Sequence, residues 1–211
     1  GTVAGAAAAG ARAGTGAVGP RGGDKHPEDT PGFIRAKVDP RTDPRIRREL
    51  CRACRAGVKI DVLGRGLCRL RPGVPGLSEN IRVRSIVDRF LEHPRIFHYH
   101  NGGNEEVYLS SADWMERNMD RRLELLFPVN DADCRREALA VLDAGFADNV
   151  SAWRLLPEGI YSREKPAPYE PIYRSQEKLY QRAVDMAAKS RDEKRHSVFA
   201  ARTAHGGRRR K

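Results

Sequence analysis

The residue types in this chain that best suit phosphate chemistry are the arginines of segment 65–95. That segment contains seven arginines, no lysine and three acidic residues. An arginine guanidinium presents a rigid fork of donors that binds phosphate oxygens in bidentate fashion, which lysine cannot do. The segment also contains His93, and an imidazole can exchange protons or carry a phosphoryl group near neutral pH. These residue types indicate a nucleotide-phosphate or polyphosphate site; the alternative is a solvated basic surface.

The elements that must position Arg65 can be predicted from the spacing of apolar residues. Residues 44–55 place apolar side chains on one face of a helix, and Gly57 is a natural stop. Residues 59–63 then alternate like a short strand. Arg65 therefore lies just beyond the carboxyl end of a strand, where open α/β sheets place their ligand sites.

The elements around His93 are predicted in the same way. Residues 96–100 and 106–110 flank an Asn-Gly-Gly-Asn turn, which is typical of a β-hairpin. His93 and Arg95 precede the first strand of that hairpin. Amphipathic helices are also predicted over residues 131–146 and 172–189.

A long central segment carries a resemblance to a known family. The sequence RGLCRLRPGVPGLSENIRVRSIVDRFLEHPRIFHYHNGGNEEVYLSSADWMERNMDRRLELLFPV is similar to the last catalytic domain of bacterial polyphosphate kinase, and the resemblance extends over about residues 33–168. The family transfers the terminal phosphate of ATP reversibly to polyphosphate through a phosphohistidine. Its catalytic half consists of two phospholipase D-like α/β domains that face each other across the active site.

The resemblance also implies which residues act. Two ATP-contacting positions of the family fall on Arg65 and His93. We expect Arg65 to clamp the ATP phosphates and His93 to donate a hydrogen bond or proton to the transferred group or its leaving oxygen. Arg95 is a third, phosphate-binding candidate, because it takes the place of the lysine in the His-x-Lys pair of phospholipase D-like proteins. Structural roles are expected for Asp113, Trp114, Asn118 and Arg122.

Departures from the family limit what this chain can do. The phosphorylated histidine belongs to the preceding domain, which nothing in this chain resembles, and the family's N-terminal domains and magnesium-binding positions are missing too. Mg²⁺ is therefore expected for the family, with its ligands outside this chain. We expect a C-terminal piece that is inactive alone and that works with ATP or ADP, inorganic polyphosphate and the remaining domains of an oligomeric enzyme. Gly64, where the family favours a branched apolar residue, predicts a looser strand end.

Composition indicates the fold class and the division of the chain. The resemblance and the predicted elements indicate an α/β domain, a phospholipase D-like mixed sheet flanked by helices, over residues 32–168. Residues 1–31 are rich in Gly and Ala and contain no aromatic residue, so a disordered tail is expected. Residues 169–211 are expected to form a basic helical arm and tail. No apolar stretch approaches the ~20 residues of a membrane span or follows a basic start as in a signal peptide. The expected location is the cytoplasm, with peripheral contact at the inner membrane face as a possibility.

The basic charge is concentrated at the C-terminal end. The net charge is +11 at pH 7, and residues 151–211 contain 15 Lys or Arg against 7 Asp or Glu. Such an arm is expected to bind any polyanion weakly, RNA and polyphosphate included, without recognising a specific nucleic acid.

Four cysteines and a histidine pair are the candidates for a metal or redox site. Cys51 and Cys54 have the spacing of a redox or half-zinc motif, but they lie in a predicted helix and no second such pair exists. Cys68 and Cys134 are predicted to be packing residues, as suits a reducing cytoplasm. His98 and His100 share a strand face and with His93 would form a weak zinc cluster; a plain surface strand is the favoured interpretation.

Two other functions remain open from the sequence. The first is a non-catalytic domain that binds ATP or polyphosphate with help from the basic arm. Binding that survives Arg65→Ala but is lost when residues 190–211 are removed would favour this binder. The second is a phosphodiesterase of the phospholipase D kind, which the incomplete His-x-Lys box disfavours.

Overall fold

The structure is a computed structural model that describes residues 32–101 and 104–196. The predicted disordered tail, the tip of the predicted hairpin and the last part of the predicted basic arm lie outside the described residues. The division of the chain into tail, domain and arm therefore stays a prediction.

Eight strands form one mixed sheet in the order β6-β5-β4-β1-β2-β3-β7-β8. The three strands β1, β2 and β3 run parallel to one another, and the other neighbouring pairs are antiparallel. The strands are β1 (Phe33–Lys37), β2 (Lys59–Gly64), β3 (Ile81–Ile86), β4 (Ile96–Asn101), β5 (Asn104–Ser110), β6 (Leu126–Pro128), β7 (Ala152–Leu155) and β8 (Tyr161–Arg163).

Helices cover both faces of this sheet. They are α1 (Pro44–Arg55), α2 (Glu116–Asp120), α3 (Ala132–Ala147) and α4 (Ser175–His196). Ile46 of α1 packs in one core cluster with Val62 of β2, whereas the next residue of β2, Leu63, packs with Phe146 of α3. Since successive side chains of a strand point to opposite faces, α1 and α3 lie on opposite sides. The predicted α/β class, a mixed sheet flanked by helices, is confirmed.

The helix and strand that lead to Arg65 are where the sequence predicts them. Helix α1 begins after Asp43, whose side chain accepts a hydrogen bond from the Arg45 backbone N–H at 2.6 Å, and Pro44 occupies the first helical turn, where its missing N–H costs nothing. Gly57 follows the helix with φ of 90°, a conformation that favours glycine. The predicted strand is β2, which is one residue longer.

The other predicted elements are also present. Helix α3 starts at Ala132, after an Asp131 side chain that accepts from two backbone N–H groups. The predicted hairpin is formed by β4 and β5, which pair antiparallel. The predicted helix over residues 172–189 is α4, which starts three residues later and continues to His196. In the part of the chain that the structure describes, no helix combines the length and apolarity needed to cross a bilayer.

The prediction that Gly64 loosens the strand end is wrong. Gly64 is buried and pairs with Ser85 of β3. A Cβ atom at this position would lie 2.6 Å from Cγ of Pro40. Glycine is therefore required here because the Pro40 ring occupies the space that a branched side chain would fill.

Candidate phosphate-binding site

The topology brings five polar side chains to one edge of the sheet. Asp39 and Arg65 follow the carboxyl ends of the parallel strands β1 and β2. Strand β4 runs antiparallel to β1, so His93 and Arg95, which precede β4, lie at the same edge. Strand β5 runs antiparallel to β4 and returns the chain to this edge, where Asp113 follows it. The sequence-predicted Arg65, His93 and Arg95 are thus placed at one edge.

Asp113 is the centre of this group. Its carboxylate accepts two hydrogen bonds from Arg95, from Nε and Nη2 at 2.8 Å each. It also accepts one from Arg65 Nη2 at 3.0 Å and one from the backbone N–H of Asp39 at 3.1 Å. The Asp113 side chain is only 4% exposed. One buried carboxylate therefore fixes both arginines.

A second carboxylate, that of Asp39, completes the network. It accepts hydrogen bonds from Arg41 Nε at 3.0 Å and Nη2 at 2.7 Å, and from Arg65 Nε at 3.3 Å. Arg65 is thus held between Asp39 and Asp113, and its side chain is 15% exposed. Its Nη1 is engaged in no hydrogen bond among the described residues, so that donor remains for a ligand.

The electrostatics favour the ionised form of the two carboxylates, Asp39 and Asp113. Burial acts to raise the pKa of Asp113, but hydrogen bonds from Arg95 and the Asp39 backbone, with the charges of Arg95 and Arg65, hold that pKa below its usual value. Burial also acts to raise the pKa of Asp39, but the hydrogen bonds and charge of Arg41 lower it, and the net result is a pKa below the usual value. Three guanidinium groups thus face two carboxylates. The excess positive charge suits a phosphate.

His93 lies beside Arg95 and is exposed to solvent. Arg95 Nη1 is 3.1 Å from Nδ1 and 3.2 Å from Nε2 of the imidazole. His93 therefore joins the network through Arg95, and the structure gives it no direct contact with Arg65. The imidazole is therefore held by a fixed guanidinium on one side and is accessible on the other to an anion that binds at this edge.

The loop that carries His93 is tied to the sheet and to the start of α4. Glu92 forms a buried ion pair with Lys37, the last residue of β1. Glu92 also accepts a hydrogen bond from Gln176 Nε2 at 2.6 Å, and Gln176 bonds the backbone of Phe90 in both directions at 2.8 Å. These contacts hold the loop in place from below the site.

Asp88 anchors the other end of the same loop. Its carboxylate accepts hydrogen bonds from the guanidinium of Arg174 and from the Ser151 hydroxyl at 2.8 Å. Mainly because of the Arg174 hydrogen bonds, the pKa of Asp88 lies far below its usual value. The segment before α4 therefore supports the site loop, a contribution that sequence reasoning missed.

Sequence reasoning also underestimated Asp113. The predicted role is purely structural, whereas the Asp113 carboxylate binds both site arginines. The sequence does not show this because Arg65 and Arg95 lie 48 and 18 residues from Asp113. Trp114 is buried and stacks on Phe97 at 5.8 Å between ring centroids, as predicted for a core residue. Asn118 is buried and its Nδ2 donates to Glu124 at 2.5 Å. Arg122 is exposed.

The expectation of a plain surface strand for His98 and His100 is wrong. His98 is 4% exposed and His100 is half-buried, and both rings pack on Phe33 of the neighbouring strand. Mainly through burial, the pKa of His98 is lowered. Glu105 approaches both rings, at 3.7 and 3.8 Å.

The cysteines show no arrangement for metal or redox chemistry. Cys54 is buried in α1, and burial raises the pKa of the Cys51 thiol and that of Cys68, the latter to about 11. Such thiols are poor nucleophiles. The prediction that Cys134 is a packing residue is wrong, because it is exposed at the start of α3.

The residues of this edge do not fit a magnesium ion. Mg²⁺ prefers carboxylate and water oxygens in octahedral geometry, but the carboxylates of Asp39 and Asp113 are occupied by guanidinium donors. Across residues 32–101 and 104–196, no group of three or more His, Cys, Asp or Glu side chains is arranged to hold a metal ion. The carboxylates of Asp39 and Asp113 therefore hold arginines at this edge and are not available as magnesium ligands.

Comparisons with known proteins connect this site to one family. Residues 21–176 match the sequence model of "Polyphosphate kinase C-terminal domain 2". The chain is 51% identical over 154 residues to a polyphosphate kinase of Rhodopirellula baltica, covering 73% of this chain and 18% of that protein. It is 52% identical over 136 residues to one of Pseudomonas aeruginosa, covering 64% and 20%. The chain thus spans about a fifth of the length of these relatives.

A solved structure agrees with the sequence matches. The fold superposes on the crystal structure of polyphosphate kinase from Porphyromonas gingivalis with a TM-score of 0.76 and 34% sequence identity. That match covers 89% of this chain and 27% of the other.

Proposed function

Because the chain belongs to the polyphosphate kinase family, a family of ATP:polyphosphate phosphotransferases, we propose that it supplies the phosphate-binding half of such an active site. In this proposal ATP and inorganic polyphosphate bind at the edge formed by Arg65, Arg95 and His93. The observation that carries the proposal is the bond of both arginines to one buried carboxylate, Asp113. The phosphohistidine that receives the phosphoryl group lies in another part of the enzyme.

Each site residue has a distinct task in the transfer. When the terminal phosphate of ATP passes to the histidine nucleophile, the bond from that phosphorus to the bridging oxygen breaks and negative charge moves to ADP. Arg65, with a free Nη1, binds phosphate oxygens on which this charge collects. His93 donates a hydrogen bond to the transferred group or to the leaving oxygen. Arg95 adds positive charge and holds the imidazole of His93 in place.

Fixed arginines suit this task better than mobile ones. An arginine that must reorganise when phosphate arrives contributes less, because part of the binding free energy is used to order its side chain. Asp39 and Asp113 orient Arg65 in advance. The same carboxylates neutralise two of the three guanidinium charges, which weakens the attraction between the site and ADP and so favours ADP release.

Exposed apolar side chains around the site support the proposal that another part of the enzyme completes the active site. Large apolar residues that lie near the site loop and the end of β5 face solvent in this chain: Leu67, Val87, Phe90, Leu91, Leu123 and Leu125. Exposed apolar groups rimmed by polar residues are typical of interaction surfaces. We infer that the remaining catalytic part of the enzyme covers this rim and brings its histidine to the phosphates.

The proposal is tested by the binding of ATP and tripolyphosphate to the 211-residue chain, measured by calorimetry. Arg65→Ala is expected to weaken binding about 10- to 100-fold, the equivalent of a charge-assisted hydrogen bond of about 1.5–3 kcal/mol. His93→Gln is expected to weaken it less. Arg82→Ala is the matched control, because Arg82 is 75% exposed and pairs with Asp61 away from this edge.

The opposite result would favour the non-catalytic binder. If Arg65→Ala binds like the control while removal of residues 190–211 abolishes binding, the basic arm is the anion site and the proposal fails. Thermal unfolding of each variant, compared with the unaltered chain, separates lost binding from lost folding.

A further inference from the structure

A second basic surface lies outside the site described above. It is a groove of about 530 Å³ between the outer face of α1 and the loop that follows Arg65. We call it the arginine groove. Six arginines line it, and most of the exposed lining surface is apolar. The lining residues are Pro44, Arg47, Arg48, Glu49, Cys51, Arg52, Arg55, Arg69, Leu70, Arg71 and Leu77.

The charges of this groove are largely uncompensated. Its single acidic residue, Glu49, pairs with Arg52 at 2.5 Å. Within the described part of the chain, no carboxylate lies within ion-pair distance of the other five arginines of the groove. The site arginines behave differently, since Arg65 and Arg95 are each held by a buried aspartate. The groove therefore presents guanidinium groups that are free to bind an anion.

Helix stability does not explain this arrangement. Basic residues in the last turn of a helix interact favourably with its dipole, which accounts for Arg52 and Arg55. Arg48 is the fifth residue of α1 and gains nothing from the dipole. It stands four residues before Arg52, a like-charge spacing that costs about 0.2–0.5 kcal/mol. Arg69 and Arg71 come from a different segment. Two elements thus bring like charges together.

The two walls are held against each other. Arg47 Nη1 of α1 donates to the backbone carbonyl of Arg69 in the loop at 3.5 Å. The loop is also fixed from outside the groove, because Arg71 Nη2 donates to the carbonyl of Glu158 at 3.3 Å. The Nε of Arg47 is buried and has no hydrogen-bond partner among residues 32–101 and 104–196. An anion beside this guanidinium would offset part of the cost of that unsatisfied donor.

The groove begins close to the candidate site. Arg69 is four residues from Arg65, at most about 14 Å along the chain, and its backbone N–H donates to the carbonyl of Pro40. Pro44 follows Asp43, whose backbone N–H donates to the carbonyl of Trp114, the neighbour of Asp113. From there α1 extends by 12 residues, about 18 Å, which is room for several phosphate units.

We propose that the arginine groove holds inorganic polyphosphate as the chain extends away from the Arg65 site. The inference rests on the proposed function, because it makes the groove a continuation of that site. Polyphosphate suits the groove better than nucleic acid does, since none of the lining residues is aromatic and unspecific binding of single strands uses aromatic side chains on which bases stack. A regular chain of charges requires only closely spaced guanidinium groups.

The test compares two triple variants of the 211-residue chain. The groove variant carries Arg48→Gln, Arg55→Gln and Arg69→Gln. These arginines are exposed, and none of them pairs with a carboxylate of the described residues. The control variant removes the same charge elsewhere, with Arg82→Gln, Arg136→Gln and Arg182→Gln, whose exposed ion pairs contribute little to stability. Each is titrated with long-chain polyphosphate, with tripolyphosphate and with single-stranded RNA over a range of salt concentrations.

The proposal predicts a length-dependent result. The groove variant should bind long-chain polyphosphate at least about tenfold more weakly than the control, with a salt slope lower by about 2, as expected when three phosphate contacts are lost. Its affinity for tripolyphosphate should match that of the control, because a short anion occupies only the Arg65 site. Arg65→Ala should weaken tripolyphosphate binding in both backgrounds.

Three outcomes would each overturn a different claim: the groove as a binding site, polyphosphate as its ligand, or the proposed function. Equal binding of long-chain polyphosphate by the groove and control variants would overturn the groove assignment, while the Arg65 result still decides the proposed function. Equal losses for RNA and polyphosphate would show a general polyanion surface and overturn the assignment to polyphosphate. Unchanged tripolyphosphate binding by Arg65→Ala would overturn the proposed function and with it the continuity on which the groove depends. Circular dichroism and thermal unfolding of both triple variants verify that they are folded.

Discussion

The substitution Asp113→Asn tests whether a single carboxylate organises the site. Asp113 accepts four hydrogen bonds, two from Arg95, one from Arg65 and one from a backbone N–H. An asparagine has the same shape, but its amide nitrogen would face guanidinium donors and its charge is lost. Removing one partner of a buried ion pair costs about 3–5 kcal/mol, and asparagine keeps some acceptor capacity. We expect the free energy of unfolding to fall by about 3 kcal/mol.

Urea denaturation at pH 7 measures this change. The matched control is Asp133→Asn, because Asp133 is 79% exposed and pairs with Arg136 on the surface of α3. Surface substitutions of this kind change stability by about 0.5 kcal/mol or less. If the free energy of unfolding of Asp113→Asn lies within about 1 kcal/mol of that of the unaltered chain, the carboxylate does not organise the arginines. The description of the site is then wrong.

The pH dependence of the same variant provides a second test. The pKa of Asp113 is lowered in the folded chain, so the unfolded state binds more protons between that pKa and the ordinary value of about 3.9. Its stabilising effect is complete above about pH 4 and is lost as the pH falls through the folded pKa. The stability difference between the unaltered chain and Asp113→Asn should therefore shrink as the pH falls below about 4. A difference that stays constant or grows on acidification would contradict the ion-pair interpretation.

Three further predictions concern the supports of the sheet and the site. His98→Leu should reduce the stability that is lost between pH 7 and pH 5, as measured by urea denaturation. The buried imidazole has a lowered pKa in the folded chain, so the unfolded chain takes up the proton first on acidification. An unchanged dependence of stability on pH would refute this. Gly64→Ala should cost about 1–3 kcal/mol, and clearly less in a Pro40→Ala background, since the clash is with the Pro40 ring; equal costs in the two backgrounds would show that the ring is not responsible. Gln176→Leu should speed hydrogen exchange in loop 87–95 and weaken ATP binding without changing exchange in β2, because Gln176 bonds that loop; protection that stays unchanged would show that the loop is held by other contacts.

Local patterns in the sequence were enough to predict the elements that lead to the site. Helix α1, strand β2 and the β4–β5 hairpin follow from apolar spacing, from Gly57 as a helix stop, and from glycine and asparagine at the hairpin turn, all of which depend on neighbouring residues. The position of Arg65 at a strand's carboxyl end follows from these elements. The resemblance to polyphosphate kinases added His93, which no local pattern distinguishes from an ordinary loop histidine.

What the sequence could not supply depends on contacts between distant segments. Asp113 and Asp39 meet Arg65 only because β1, β2 and β5 end at the same edge. The two aspartates lie 48 and 26 residues from Arg65 in sequence, so no local pattern pairs them with it. The burial of His98 follows from β1, whose Phe33 covers the ring. The need for glycine at position 64 comes from Pro40, on another strand connection. Pairings of this kind are set by topology, which one sequence alone does not reveal.

Phosphoryl transfer by a complete enzyme tests the central claim most directly. A chimera in which this chain replaces the matching C-terminal part of the Pseudomonas aeruginosa relative would supply the missing catalytic half, and ATP formation from ADP and polyphosphate would be followed by luminescence. We expect an active chimera in which Arg65→Ala lowers the rate about 100-fold or more, as for loss of a donor that stabilises transition-state charge, while Arg82→Ala remains within about twofold. An active chimera that keeps its full rate with Arg65→Ala would contradict the account of this site.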